Sequence, residues 1–310
     1  MGIDCGQKED RQLYIDPAKP MYCFKSINAH EDKIACIIQL FSGQIATGSY
    51  DHKIKIWNVF NFECQKTIQE KGNVLCLLQY KHNLLLSGTD KNTIQLWDIN
   101  SPNSPNNNPL CEYKGHSLWV NCITKCDEDC FASCSNDSDI RIWNINSSNS
   151  VNILRGHTEC VLTLIRLNNG KLCSGSADLT IKIWNWQETI CEMTLDDSDD
   201  WIKCLYLLGN GYLLSGLGDG TIQVWYKENK IGNFKGHDRA IRAFCQIDDY
   251  HYASTSFDQT IKIWKIINNE YVNILKGHTS YVIGILYHQL SGYLITCSND
   301  KTIKFWKNQR

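Results

Sequence analysis

Apolar and polar residues alternate in short runs along this chain, and one run keeps returning. Ile-Lys-Ile-Trp or a close variant ends at Trp57, Trp97, Trp143, Trp184, Trp225, Trp264 and Trp306. The intervals between these tryptophans are 40, 46, 41, 41, 39 and 42 residues. In Ile181-Lys182-Ile183-Trp184 the apolar side chains fall two apart, the period of a strand with one face buried. A unit of this length cannot bury its apolar face alone, so tandem copies predict an array of stacked β units.

Polar residues hold register with the tryptophans. Six residues before six of them stands an aspartate: Asp51, Asp137, Asp178, Asp219, Asp258 and Asp300. Asp before a polar residue and Thr is turn chemistry, which predicts a tight hairpin leading into the Trp strand. Four residues further back every repeat carries a small hydroxyl, at Thr47, Ser87, Ser133, Ser174, Ser215, Ser254 and Thr296. Five repeats add a histidine about twenty-one residues before the Asp: His30, His116, His157, His237 and His278.

This His, Ser/Thr, Asp and Trp set resembles the structural tetrad of the WD40-repeat family, over about 290 of the 310 residues. The resemblance implies an all-β fold, a seven-bladed propeller with four strands per blade around a central channel. It also implies that Asp accepts a hydrogen bond from His, which bonds the hydroxyl, which in turn bonds the indole N–H. The full sets are His30, Thr47, Asp51 and Trp57; His116, Ser133, Asp137 and Trp143; His157, Ser174, Asp178 and Trp184; His237, Ser254, Asp258 and Trp264; and His278, Thr296, Asp300 and Trp306. A buried carboxylate needs such partners, and so does a half-buried indole. Catalysis would need one His/Ser/Asp set; locking blades needs many.

The last repeat stops soon after Trp306, without an outer strand. Met21-Tyr22-Cys23-Phe24-Lys25-Ser26-Ile27 precedes His30 as Val151-Asn152-Ile153-Leu154 precedes His157, and reads as that missing strand. The propeller is therefore placed at 21–310, with 1–20 as a flexible tail.

Two repeats break the pattern. The second has Lys91 at the Asp position and no histidine, Glu70-Lys71-Gly72-Asn73 reading as a shortened segment, so this blade is expected to be the least well locked. After it, residues 100–109 hold three prolines and five asparagines and read as a disordered loop, with Ser-Pro steps at Ser101 and Ser104. The fifth has Ser198 in place of histidine, among Asp196, Asp197, Asp199 and Asp200 and next to Trp201. That loop is either simply solvated or an acidic rim suited to a basic peptide.

In propellers of the resembled family, partners dock mostly on the face built from the loops before each inner strand and from the Asp hairpins. Here Lys33, Trp119, Trp201 and Tyr281 stand just before inner strands, Lys203 and Arg242 two residues on from that position, and Tyr50, Asn136 and Phe257 just before hairpin positions. Trp, Tyr and Arg dominate interface energetics, so these nine residues form the expected partner-binding face. Cys36, Cys76, Cys122, Thr163, Cys204, Ala243 and Gly284 share one inner-strand position and are all small, as convergence near a channel requires.

Composition narrows the function classes. With 31 basic and 33 acidic residues and a net charge of −2, the chain lacks the footprint of a general nucleic-acid binder. No apolar run reaches the roughly 18–20 residues that span a bilayer. The opening MGIDCGQKEDRQ is polar, unlike a signal peptide, and Gly6 breaks a myristoylation pattern. Without an export signal the sixteen cysteines read as buried thiols rather than disulfides. Cys122, Cys126, Cys130 and Cys134, four apart, lack paired zinc-site spacing. The reading is a non-catalytic scaffold or adaptor without cofactor or metal, a monomeric component of a larger complex in the cytoplasm or nucleus, binding a protein or peptide. Substrate recognition in a ubiquitin ligase or chromatin complex is the sharper alternative, with any ligase link through a separate protein, since residues 1–20 leave no room for an adaptor-binding domain. A propeller enzyme is a remote one.

Overall fold

The computed structural model describes residues 15–100, 108–227 and 229–309. These residues form twenty-eight β-strands, β1 to β28 in chain order, arranged as seven four-stranded antiparallel sheets. In the first sheet β2 (Ile34–Gln39) is innermost, followed by β3 (Ile45–Ser49), β4 (Lys53–Trp57) and β5 (Cys64–Gln69). The other inner strands are β6 (Val74–Lys81), β10 (Val120–Lys125), β14 (Val161–Arg166), β18 (Ile202–Leu207), β22 (Ile241–Gln246) and β26 (Val282–His288). Each inner strand packs against the next, and β26 packs against β2, which closes a ring of seven blades.

Local sequence explains each blade. The apolar residues of the Trp strand point into the core: Ile54, Ile56 and Trp57 are buried, while Lys55 extends its Nζ to the Ala29 carbonyl at 2.7 Å. Neighbouring blades approach so closely that a methyl on Gly48 would lie 2.4 Å from Val74 Cγ1, so only glycine fits there. Six of the seven hairpins are Asx turns, as where Asp51 Oδ1 accepts the Lys53 N–H at 3.0 Å and His52 takes a left-handed φ of 64°. In the second blade, with Lys91 in place of Asp, Thr89 Oγ1 accepts the Lys91 N–H instead. The matching residues Asn92, Ser138, Leu179, Gly220, Gln259 and Lys301 are left-handed too.

The last blade is β26, β27 (Tyr293–Ser298), β28 (Thr302–Asn308) and, outermost, β1 (Met21–Asn28), paired antiparallel with β28. Phe24 seats this strand, its ring centroid 4.7 Å from that of Tyr293. The packed chain begins earlier than the sequence pattern suggests. Residues 15–20, expected to belong to a flexible tail, lie against the ring: Ile15 is 5% exposed in a core cluster with Leu275 and Trp306. The Asp16 N–H donates to Asn308 Oδ1 at 2.7 Å. Residues 101–107 of the proline-rich stretch, which hold both Ser-Pro steps, lie outside the described residues.

Candidate functional site

The tetrads hold the scaffold on which any site must stand. All seven indoles donate Nε1–H to the hydroxyl ten residues earlier, at 2.8–2.9 Å. In the five histidine blades Nε2 meets that same hydroxyl at 2.7–2.8 Å, and Nδ1 meets the hairpin Asp Oδ2 at 2.7–2.9 Å. The arrangement is satisfied by a neutral imidazole that donates from Nδ1 to the carboxylate and accepts at Nε2. Burial holds His30, His157, His237 and His278 below the ordinary imidazole value, against the opposing pull of their aspartates. Burial alone would raise the aspartates. Hydrogen bonds from the histidine and from backbone N–H groups more than offset it, and Asp137 falls to about 2.

The two blades without histidine are built differently. The second stays the less well locked, because the buried Gln95 amide finds no hydrogen-bond partner among the described residues. What the structure corrects is the expected shortening of the second blade. Its segment is not shortened: Glu70 stands seventeen residues before Ser87, as His30 stands seventeen before Thr47, and the Ser87 hydroxyl donates to the buried Glu70 carboxyl. In the fifth blade Gln223 Oε1 accepts from Ser198 at 2.8 Å and from Ser215 at 3.2 Å, and its Nε2 donates to the Asp197 carbonyl. A signal for this stands in the sequence. The residue between the two apolar positions of the Trp strand is Lys or Arg in every histidine blade, and Gln in these two, as Gln95 and Gln223.

The face carrying the hairpins and the loops before the inner strands, here the top face, is built by two repeated devices. In each blade the residue before the hairpin Asp position donates its N–H to the carbonyl of the residue before the inner strand, as Tyr50 does to Lys33 at 2.9 Å and Asn136 to Trp119 at 3.0 Å. The second device is a β-bulge. All seven inner strands skip one rung of register at the same place, leaving Ala35, Leu75, Asn121, Leu162, Lys203, Arg242 and Ile283 as the extra residues. A bulge re-aims its side chain, and all seven line one funnel of about 310 Å³ at the mouth of the channel.

The funnel brings together seven of the nine residues expected on the binding face: Lys33, Tyr50, Trp119, Asn136, Lys203, Arg242 and Phe257, with Asn299 added. Trp201 and Tyr281 stand beside it rather than in its wall. Trp201 is 49% exposed with Lys203 Nζ 4.3 Å from its ring centroid, and Tyr281 stacks on Phe257 at 4.3 Å. Burial, then the charge of Arg242, holds Lys203 below the ordinary lysine value. Deeper in the channel the Cys36 and Cys204 thiols are pushed up to about 12 by burial, which marks them as packing groups rather than nucleophiles. The acidic loop of the fifth blade is partly structural: Asp197 pairs with Lys230 at 2.6 Å and Asp200 Oδ1 accepts the Trp201 N–H at 2.7 Å.

Seven consecutive segments, 21–58, 62–98, 107–144, 148–185, 189–226, 228–265 and 269–307, match the family described as WD domain, G-beta repeat. The chain belongs to the WD-repeat family. An uncharacterized WD repeat-containing protein of Schizosaccharomyces pombe is 41% identical over 31% of this chain and 26% of its own length. The ubiquitin homeostasis protein lub1 of the same yeast is 33% identical over 26% of this chain and 11% of its own length. A component of chromatin assembly factor 1 from Gallus gallus is 34% identical over 27% of this chain and 15% of its own length. This WD-repeat chain thus aligns with about a quarter of the first of these relatives and with less of the other two.

Proposed function

We propose that this propeller is a non-catalytic platform whose top-face funnel receives a peptide or a protein domain. WD-repeat propellers are typical protein–protein interaction scaffolds. The observation that carries the reading here is the wall of the funnel. Trp119 is 44% exposed on it, beside Tyr50, Phe257 and Arg242, whereas the seven tryptophans of the blades are buried. A side chain kept only for folding would be covered, and aromatic and arginine side chains around a concavity are what a protein interface uses for its central contacts. The names of two relatives, a ubiquitin homeostasis protein and a component of a chromatin assembly factor, favour membership of a multi-protein assembly of one of those kinds.

Affinity capture from a cell extract tests this with paired variants. The double substitution Trp119→Ala with Arg242→Ala is expected to remove most of the partners retained by the native chain, since each central contact is worth about 1–4 kcal/mol. The bottom-face double substitution Tyr250→Ser with Ile267→Ser, which removes the most exposed apolar side chains of that face, is expected to keep them. The opposite pattern would move the docking surface to the bottom face.

A further inference from the structure

The funnel is lined by three cationic side chains, Lys33, Lys203 and Arg242, and by no carboxylate. That departs from a chain whose net charge is −2. Nearby aspartates are occupied with their own loops. Asp32 Oδ1 accepts the Lys33 N–H at 2.8 Å, Asp90 Oδ1 the Asn73 N–H at 2.9 Å, and Asp200 Oδ1 the Trp201 N–H at 2.7 Å. Among the described residues none of the three cations forms a salt bridge. Lys33 and Lys203 instead stand over the rings of Tyr50 and Trp201, at 5.9 and 4.3 Å.

Folding does not require these charges. The bulge position that aims Lys203 and Arg242 into the funnel is occupied by Ala35, Leu75, Leu162 and Ile283 in four other blades. Like charges gathered in a partly dehydrated concavity oppose one another, which costs free energy that a bound anion would relieve. A neutral donor stands with them. Asn136 Oδ1 accepts from Asn121 Nδ2 at 2.7 Å, which turns the Asn136 amide so that its NH₂ group is left to donate.

We propose that the funnel binds an acidic peptide segment, with an aspartate or glutamate carboxylate seated among Lys203, Arg242 and Lys33 and the flanking residues lying on Trp119 and Phe257. This rests on the reading of the top face as the docking surface, and names the chemistry of what docks there. The acidic loop at 196–200 flanks the same rim and disfavours an unselective polyanion, so a short segment with one buried carboxylate fits better than a long acidic tract.

Fluorescence anisotropy with labelled peptides tests it. The probes are a Gly-Ser peptide carrying two central glutamates, its glutamine and lysine counterparts, and one carrying a phosphoserine in their place. The glutamate peptide should bind, the glutamine and lysine peptides should bind at least about tenfold more weakly, and the Lys203→Gln/Arg242→Gln double variant should lose at least about tenfold in affinity. The charge-matched bottom-face double variant Lys81→Gln/Lys227→Gln should stay within about twofold, because charges beyond a Debye length of about 8–10 Å are screened. Thermal melting of both double variants guards against misfolding. The Lys203→Gln/Arg242→Gln midpoint should hold or rise, since a repulsive pair is removed.

Tighter binding of the glutamine or lysine peptide, lost on Trp119→Ala, would overturn the acidic assignment and leave the docking face standing. Glutamate-peptide binding unchanged by both Lys203→Gln/Arg242→Gln and Trp119→Ala would overturn both. Binding of the phosphoserine peptide alone, or of no peptide up to about 1 mM, would overturn the carboxylate assignment.

Discussion

A chain lacking residues 1–28 is expected not to form a stable monomer. The cut removes β1, which pairs with β28 along seven rungs from Met21↔Asn308 to Asn28↔Thr302, and it removes Ile15 from the core cluster that holds Trp306. Phe24 goes with it, leaving Tyr293 and Phe305 without the ring they pack on. The exposed edge of β28 then offers unpaired N–H and C=O groups to another molecule, which is how edge strands seed association. Against a total stability of roughly 5–15 kcal/mol for a folded domain, losing a whole strand together with its aromatic anchor is decisive. Size-exclusion chromatography should show oligomers or aggregate, with no cooperative thermal transition. A synthetic peptide spanning Ile15–Asn28, added during refolding, should restore monomer. A truncated chain that stays monomeric and melts at the native midpoint would show that ring closure does not depend on this strand.

Stability is expected to fall as pH drops, and the sign follows from the tetrads. His30, His157, His237 and His278 are held below the ordinary 6.5 by burial, so the unfolded chain takes up protons first. Their penalty therefore starts near pH 6.5 and grows until the folded imidazoles titrate in turn. The tetrad aspartates Asp51, Asp137, Asp178, Asp258 and Asp300 are held below the ordinary 3.8, so their contribution is complete above that value and is lost as pH falls through their folded values. Both sets act in one direction. The thermal midpoint should drop by several degrees between about pH 7 and pH 4 through the histidines, and further below about pH 4 as the aspartates are lost. Glu70 opposes them: burial raises it above 4.5, so its contribution is present below that value and lost as pH rises. Glu70→Gln should accordingly raise the midpoint by a few degrees near neutrality, with no gain below about pH 4. A midpoint that is flat from pH 7 to 4 would contradict this account of the tetrads.

The blades are legible in the sequence because their chemistry repeats. A carboxylate six residues before a tryptophan and a hydroxyl ten before it recur in fixed register, and turn formation, burial and hydrogen bonding all demand those residue types there. The aligned positions on the top face are legible as positions. Their geometry is not, because a bulge leaves no mark in composition: Ala35 and Arg242 differ in every property and still occupy the same extra rung. For the same reason register alone does not separate Trp201 and Tyr281 from Trp119, although only Trp119 reaches the funnel wall. The second blade escapes the pattern because Glu70 stands in the histidine position without resembling a histidine. A carboxyl that accepts from the blade hydroxyl replaces the imidazole there. Residues 15–20 escape it because a single Ile followed by Asp and Pro carries no strand pattern. They are seated by two buried residues, Ile15 and Pro17, and by Asn308, which the sequence places almost three hundred residues away.

Site-specific photo-crosslinking tests the docking surface most directly. Benzoylphenylalanine would replace Trp119 on the funnel wall in one version of the chain, and Ile267, 92% exposed on the bottom face, in another. Irradiation with the partner obtained by affinity capture should give a covalent adduct from position 119 and none from position 267. An adduct from position 267, with none from 119, would place the partner on the opposite face and contradict the funnel as the docking site.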